Sequence, residues 1–196
     1  MGIEIKVASP LSSFQNLGPK FKEPAMRRAM GRAIATTLRK HFTKLDSSKK
    51  NKLGGARTHF YGAARRGVHQ PELYGNVVRV LVDSIGIAQR YYGGDISARP
   101  GSALTVPVHP VAYGHRAREF PDLQLIPSTR NPDVTAILAR PNDASANGIM
   151  EVYYLLCKKV HQKEDKSVLP TDAELATSAH DAAVAYIKSV IMIGQN

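Results

Sequence analysis

Proline is concentrated in the middle of this 196-residue chain, and its distribution limits the folds that the chain can adopt. Seven of the twelve prolines lie between Pro100 and Pro141. Because proline fixes φ and has no backbone N–H to donate, neither a long helix nor a central strand can persist across such a segment. We therefore expect a Pro-rich irregular segment over about residues 107–148, with the long helices before and after it.

The N-terminal region predicts a strand followed by a long helix. Residues 3–7, IEIKV, alternate apolar and polar side chains, as in a half-buried strand. After a loop, Pro24 occupies a position that a first helical turn tolerates, and we expect the helix to reach about Leu45. Its apolar side chains recur at a spacing of about 3.6 residues. They are Met26, Met30, Ala33, Ile34, Thr37, Leu38 and Leu45.

The remaining patterns predict shorter elements and a last helix. We expect a helix over residues 56–66 and strands over residues 77–82, 123–126, 134–138 and 150–160. Thr171 and Glu174 match a capping box, which predicts a final helix to about Met192. The sequence thus predicts an α+β fold of one domain, residues 1–196, in which an antiparallel sheet packs against long N-terminal and C-terminal helices.

The stretch from Ile85 to Gly114 predicts a hairpin that reaches out to another protein. Two short β-type segments flank a Pro-Gly turn, and together they form a projecting arm over about residues 93–108. An ordinary surface hairpin is the alternative. The candidate interface residues are Gly93, Gly94, Asp95, Ile96, Arg99, Pro100, Leu104, Val106 and Pro107.

Positive charge is concentrated in the N-terminal third of the chain. The net charge is +11, and residues 1–71 hold 15 Lys and Arg against 3 Asp and Glu. This excess suits nucleic acid, an acidic protein partner or a solvated helix face. The candidate basic face includes a loop over residues 46–55, and its residues are Arg28, Arg32, Arg39, Lys49, Lys50 and Lys52. No sequence-reading DNA motif occurs, so any DNA contact should be nonspecific and made to phosphates.

No catalytic, cofactor or metal motif is found. The chain lacks the nucleotide-binding, zinc-protease and serine-hydrolase signatures, and its seven histidines have no ligand spacing. Cys157 is the only cysteine, which excludes an intramolecular disulfide. No secretion signal or membrane span is recognisable. We expect a soluble protein that is not an enzyme and has no cofactor.

Five segments occur in a characteristic order. They are IEIKV followed by AMRRAMGRAIATTLRKHF, then DSSKKNKLGGARTHFY, IAQRYYGGDI, ALTVPVHPVAYG, and LLCKKV leading into the last helix. In this order they resemble the tail-completion, or virion morphogenesis, proteins of Mu-like tailed phages and their prophages. Asn51-Lys52 departs from the Asn-Pro expected in that family, and residues 115–150 show little correspondence.

The resemblance implies a structural role in the neck of a virion, made in the cytoplasm of a bacterial host. Such proteins form rings, often six-fold, between the capsid connector and the tail tube or terminator, and they carry no catalytic residues. A tail-terminator or minor capsid component is a near alternative. A basic nucleic-acid-binding module is the main alternative from another class, and an enzyme with an unrecognised site is the second.

Overall fold

The computed structural model describes residues 2–8, 22–51, 53–54, 56–129, 131–141 and 149–194, and within them the fold is α+β, as predicted. The loop expected over 11–20, residues 142–148 of the loop expected over 141–148, and Lys52 lie outside these residues. The sequence predicts one domain, whereas the chain groups into two compact units. Unit 1 is Met1–Ser48, His59–Tyr92 and Glu164–Asn196, and unit 2 is Lys49–Thr58 and Gly93–Lys163.

The helices all lie in unit 1, apart from short 3-10 turns. They are α1 (Glu23–Ser48), α2 (Phe60–Arg66), α3 (Ile87–Tyr92) and α4 (Asp172–Gly194). The strands are β1 (Ile3–Ala8), β2 (Glu72–Tyr74), β3 (Val77–Val82), β4 (Gly94–Ser97), β5 (Leu104–Pro107), β6 (Gln124–Pro127), β7 (Val134–Pro141), β8 (Met150–Cys157) and β9 (Lys159–Gln162).

Helix α1 is the main wall of the core of unit 1, because its apolar side chains follow the predicted helical spacing. Ala33 and Thr37 are only half-buried. Gly31 allows residues 71–78 of the same chain to pack closely against α1. A Cβ at this position would lie 2.5 Å from Pro71 Cβ and 2.6 Å from Val78 Cγ2. The buried apolar side chains of α1 are Met26, Met30, Ile34, Ala35, Leu38, Phe42 and Leu45.

Helix α4 starts at the predicted capping box and packs beside α1. The Glu174 N–H donates to Thr171 Oγ1 at 3.2 Å, and the Thr171 N–H donates to Glu174 Oε2 at 2.8 Å. These bonds satisfy backbone donors that the first turn leaves without helical partners. Thr37 Oγ1 and Ser178 Oγ share a 2.8 Å hydrogen bond between the two helices.

Helix α2 begins at Phe60, four residues later than the sequence predicts. His59, directly before it, has a left-handed backbone with φ 51°. The Asp46 carboxylate holds this turn, because it accepts hydrogen bonds from the Gly62 N–H at 2.8 Å and from His59 Nδ1 at 3.0 Å. A side chain at the end of α1 therefore caps α2, and this long-range bond fixes the start of the helix.

Three antiparallel sheets replace the single sheet that the sequence predicts. Unit 1 contains the order β1-β3-β2, and unit 2 contains a ribbon, β4-β9, and a four-stranded sheet, β5-β8-β7-β6. The predicted strand over residues 150–160 divides at Lys158. The Lys158 N–H donates to Asp133 O at 3.0 Å, and Lys158 O accepts from the Ala98 N–H at 2.8 Å. The chain thereby changes sheets at this residue.

The prediction that residues 93–108 form a hairpin is wrong. Strand β4 pairs with β9, whereas β5 pairs with β8. The two strands flank a tight turn, but their hydrogen bonds go to two different sheets. Ile85, at the start of the stretch from which the hairpin was predicted, is 92% exposed, and α3 starts at Ile87.

Candidate subunit interface

The predicted turn in the arm is present, and it displays two of the candidate interface residues. The Ser102 N–H donates to Arg99 O at 3.0 Å, and Gly101 has φ 77°. Proline at the second position and a positive φ at the third are the features of a type II turn. Arg99 and Pro100 are exposed at its tip.

Two glycines lead into the β4-β9 ribbon with backbones that few other residues adopt. Gly93 has φ 70° and Gly94 has φ 105°. A Cβ in this region would be strained, so the Gly-Gly pair is needed for the direction that β4 takes. Ile96, in the middle of β4, is half-buried and lies opposite Val160 in the register.

Asp95 anchors one face of the ribbon. Its Oδ2 lies 2.7 Å from Lys159 Nζ, and its Oδ1 lies 2.8 Å from His161 Nδ1. The hydrogen bonds from Lys159 and then from His161 lower the pKa of the Asp95 carboxyl. The same contact with Asp95 raises the pKa of Lys159. The three side chains are exposed, and the arrangement joins the two strands.

The four-stranded sheet has two outer edges that run in opposite directions. Every neighbouring pair in the order β5-β8-β7-β6 is antiparallel, so β5 and β6 are antiparallel to each other across the sheet. Among the described residues each of these two strands pairs with one strand only. The remaining backbone groups of each edge strand therefore point away from the sheet.

The pattern of hydrogen bonds identifies which residues point outward. The Val108 N–H donates to Tyr153 O at 2.9 Å, and the Ser128 N–H donates to Thr135 O at 3.0 Å. Because alternate residues of a strand direct their backbone groups to opposite sides, Thr105 and Pro107 face the outer edge of β5. By the same alternation, Leu125 and Pro127 face the outer edge of β6. Each edge ends in a proline, whose missing N–H removes no bond within the sheet.

An apolar row crosses this sheet from one edge to the other. In the register, one residue from each strand stands beside the next, and all four side chains are aliphatic and half-buried. The row is Val106, Leu155, Ile137 and Ile126. Leu125, on β6, is 62% exposed, although it is a large apolar side chain. The sheet thus ends at both edges with apolar side chains that another strand could cover.

The candidate basic face is only partly on the surface. Arg28, Arg32, Lys49 and Lys50 are exposed, as expected. Arg39 is not part of this face, because it is half-buried and its Nη2 donates to Val68 O at 2.7 Å. It stabilises the chain after α2 and cannot also present its charge freely to a partner.

A cluster around Tyr153 is not indicated by any pattern in the sequence. The His109 ring stacks on the Tyr153 ring with 4.4 Å between centroids, and the Arg140 guanidinium carbon lies 4.8 Å from the same ring. His109 Nε2 and Glu151 Oε1 are 3.0 Å apart, and Arg140 Nη1 and Asp122 Oδ2 are 3.1 Å apart. Burial raises the pKa of Tyr153.

Within this cluster the Arg140 guanidinium pairs with the carboxylates of Asp122 and Glu151. Arg140 stands opposite Glu151 in the register of β7 and β8, so a cross-strand pair of opposite charges joins the two strands. The register between β7 and β8 contains two shifts, and the pairing of Arg140 with Glu151 depends on them. The pattern within each strand does not predict such shifts. His109 also accepts from the Val111 N–H through Nδ1 at 3.3 Å. Its ring is thereby fixed on both sides.

Among the described residues, no group of three or more His, Cys, Asp and Glu side chains could hold a metal ion. His115, the second histidine near the Pro-rich segment, pairs instead with Glu119 at 2.8 Å, and this contact lowers the pKa of Glu119. No described helix is both long and apolar enough to cross a membrane.

No protein-family model, curated protein or solved structure matches this chain. Within the described residues, the fold defines the class of an α+β protein whose four-stranded sheet is open at both edges. The resemblance to tail-completion proteins stays a prediction.

Proposed function

We propose that this protein is a structural component of a phage virion, in the neck or tail-completion region, where a ring of identical subunits joins the capsid connector to the tail. The observation that supports a ring is the pair of complementary sheet edges on unit 2. One subunit offers the edge of β5 to the edge of β6 on the next. The virion and its neck are the part of the proposal that rests on the family resemblance.

The two edges suit a head-to-tail contact between copies. Because β5 and β6 are antiparallel within one subunit, β5 of one copy meets β6 of the next in the antiparallel direction and continues the sheet. The contact joins two different surface patches, so it is heterologous, and such contacts generate a ring when the rotation between copies closes. An isologous dimer would instead use one edge twice.

The apolar row selects the register of this contact. Placing Val106 opposite Ile126 of the next copy extends the row across the boundary. In that register the Thr105 N–H faces Pro127 O, and the Leu125 N–H faces Pro107 O. Both available donors then find acceptors, and both prolines serve only as acceptors. A slip by one residue would place Val106 opposite Leu125, whose side chain lies on the other face of the sheet.

The free energy of the edge contact indicates how assembly is controlled. Two hydrogen bonds contribute about 1 kcal/mol each, whereas association costs at least about 4 kcal/mol in lost freedom of motion. The edge therefore sets the register, and further surface from the neighbouring neck and tail proteins must supply affinity. We expect the purified protein to be a monomer at micromolar concentration and to assemble on its partners.

A disulfide between copies tests the register directly. The Val106→Cys/Ile126→Cys variant, oxidised at about 1 mM protein, where contacts weaker than about 4 kcal/mol form only transiently and the disulfide traps them, should give a ladder of oligomers on a non-reducing gel. Cys157 is buried, and burial raises the pKa of its thiol, so it should not compete.

The matched control is Val106→Cys/Leu125→Cys, which moves one cysteine by a single position. The proposed register predicts little cross-linking there. Equal cross-linking of both variants, or none in either, would contradict the edge contact. The virion role has its own test, which is detection of the protein in purified phage particles, and absence from those particles would reject the neck.

A further inference from the structure

Helix α1 carries a row of cations on its exposed side. Arg28, Arg32, Lys40 and Lys44 all belong to one row with a spacing of four residues, and all are exposed. At about 1.5 Å of rise per residue, the row extends about 24 Å along the axis, with about 6 Å between neighbours in a pair. The acidic residues of the helix do not oppose it, because Glu23 and Asp46 are half-buried.

Both of these carboxylates already have partners elsewhere. Glu23 Oε1 lies 2.8 Å from Arg27 Nη2, and Asp46 accepts from His59 and from the start of α2. Among the described residues, no ion pair joins a member of the row to a carboxylate. Residues 9–21 contain no acidic side chain in the sequence. The charge of the row is therefore largely uncompensated within unit 1.

Lys44 has a weak electrostatic interaction with the carboxylate of Glu174. After two hydrogen bonds from Thr171 and the effect of His41, the charge of Lys44 contributes to lowering the pKa of Glu174. Among the described residues, none of the lowered carboxyl pKa values is caused by Arg28, Arg32 or Lys40. Like charges four residues apart on a helix destabilise it by about 0.2–0.5 kcal/mol per pair. The row contains two such pairs, Arg28 with Arg32 and Lys40 with Lys44, so this arrangement opposes helix stability.

We propose that this row, Arg28, Arg32, Lys40 and Lys44, is a contact surface for the phosphate backbone of a nucleic acid. The proposal does not depend on the ring or on the virion. A polyanion removes the mutual repulsion of the row, since the spacing within each pair is shorter than the screening length of about 8 Å at physiological salt.

The other exposed side chains of α1 favour nucleic acid over a protein or a membrane. They include no aliphatic or aromatic side chain except the ring of Pro24, and they are Pro24, Thr36, Thr43, Ser47 and Ser48. A protein interface has an apolar centre, and a membrane-surface helix inserts an apolar face. Cations and hydroxyl groups are instead the side chains that contact phosphates.

The geometry of the row also favours the phosphate chain of a nucleic acid over a partner with a flat surface. Successive positions four residues apart are offset by about 40° around the helix axis, because a turn takes 3.6 residues. A flat partner can reach one pair of cations, whereas a phosphate chain can follow the row around the helix. Phosphate contacts carry no sequence information, so binding through this row should be independent of sequence.

The dependence of affinity on salt tests the proposal. Four phosphate contacts predict that the logarithm of the association constant for a single strand falls with the logarithm of salt concentration with a slope of about −2.8. We would measure anisotropy of a labelled single-stranded DNA of about 30 nucleotides and arbitrary sequence between about 50 and 200 mM salt, because a single strand is flexible enough to follow the row. The variant Arg28→Gln/Arg32→Gln/Lys40→Gln/Lys44→Gln should lose most of this slope and about 100-fold in affinity at 50 mM salt.

The matched control removes the same charge from other exposed positions. It is the variant Arg118→Gln/Lys158→Gln/Lys163→Gln/Lys188→Gln, and its slope should change by less than about 1. Circular dichroism verifies that both variants fold. If the quadruple row variant does not fold, the two double variants, Arg28→Gln/Arg32→Gln and Lys40→Gln/Lys44→Gln, should each lose about half of the slope.

Three results would overturn the proposal. They are no binding of DNA by the wild-type protein at 50 mM salt, an equal loss in the row variant and the control, and row-dependent binding of polyglutamate as tight as that of DNA. The last would assign the row to an acidic protein. None of these results bears on the cysteine cross-link, so failure of this proposal and failure of the ring can be distinguished.

Discussion

The two units of this chain are stabilised in different ways. Unit 1 has a large apolar core to which α1, α2, β3 and α4 all contribute buried side chains. The core cluster of buried residues in unit 2 contains Ala112, Tyr153 and Tyr154, with partly buried neighbours such as Phe120. Aromatic side chains and ion pairs lie in direct contact around this cluster. Apolar burial dominates the first unit, and stacking and cross-strand charge are prominent in the second.

This difference predicts different responses to substitution. A fully buried large apolar side chain contributes about 1.5–3 kcal/mol by burial alone, and more when its removal leaves a cavity. An aromatic pair contributes about 0.5–1.5 kcal/mol beyond burial, and an exposed ion pair contributes about 1 kcal/mol or less. Substitutions should therefore have larger effects in unit 1, and changes of pH or salt should have larger effects in unit 2.

The largest effect is expected at Phe42, whose side chain is fully buried in the core of unit 1. Phe42→Ala should lower the free energy of unfolding by about 3–5 kcal/mol, because the cavity cannot fully close around α1. Urea denaturation with hydrogen exchange of unit 1 amides measures this. Ile85→Ala is the control, since its side chain is 92% exposed, and it should cost less than about 0.5 kcal/mol. A loss below about 1 kcal/mol at Phe42 would contradict the dominance of burial.

An intermediate effect is expected at Tyr153 in unit 2. Tyr153→Leu keeps an apolar side chain but removes the stacking on His109, the edge contact with Phe120 and the contact with Arg140. We expect a loss of about 2 kcal/mol, from two aromatic contacts and one cation–π contact. The measurement is hydrogen exchange of amides in β7 and β8.

The control for this prediction keeps the ring and removes only the hydroxyl. Tyr153→Phe should cost about 1 kcal/mol, because stacking on His109 and the cation–π contact with Arg140 remain and only the hydrogen bond of the hydroxyl with Arg140 is lost. Equal losses in Tyr153→Leu and Tyr153→Phe would show that the stacked contacts contribute little. The two units would then differ less than their contacts indicate.

Local patterns predicted much of unit 1. The spacing of Met30, Ile34 and Leu38 gave α1 its buried face, and the Thr171 capping box gave the start of α4. Each of these signals lies within a few residues of the element it describes. The start of α2 was missed because its cap, Asp46, lies 16 residues before the Gly62 amide to which it bonds.

Unit 2 was harder to predict because its strands pair over long distances. The turn at Arg99 to Ser102 was recognisable, but β4 pairs with residues near Val160 and β5 with residues near Leu155. Nothing in residues 93–108 encodes that choice. The candidate interface changed for the same reason: Val106 and Pro107 stay in it as parts of an open edge, whereas Ile126 and Leu125 entered only when the register was known.

The smallest effect is expected in the ribbon of unit 2, where Asp95 pairs with Lys159 and His161. These partners lower the pKa of the folded Asp95 carboxyl below its unfolded value. For such a group, the stabilisation is fully present above the unfolded pKa, near 4, and is lost as pH falls through the folded value. Acid should therefore weaken the ribbon. In unit 1 the described carboxyl with a lowered pKa is Glu174, which lies at the exposed capping box of α4 and outside the apolar core.

A carbon-13 NMR titration of the Asp95 carboxyl measures this effect. Its midpoint should lie below about 3.9, and Lys159→Gln should raise it, because the largest cause of the lowered pKa is then removed. Lys158→Gln is the matched control, since that exposed lysine is one position away and has no ion pair with Asp95 among the described contacts. A wild-type midpoint at or above 3.9 would mean that the Lys159 contact is not formed in solution. Asp95 would then not stabilise the β4-β9 ribbon through charge, and the pH sensitivity assigned to unit 2 would have to come from Glu119, whose pKa is lowered by its hydrogen bond from His115.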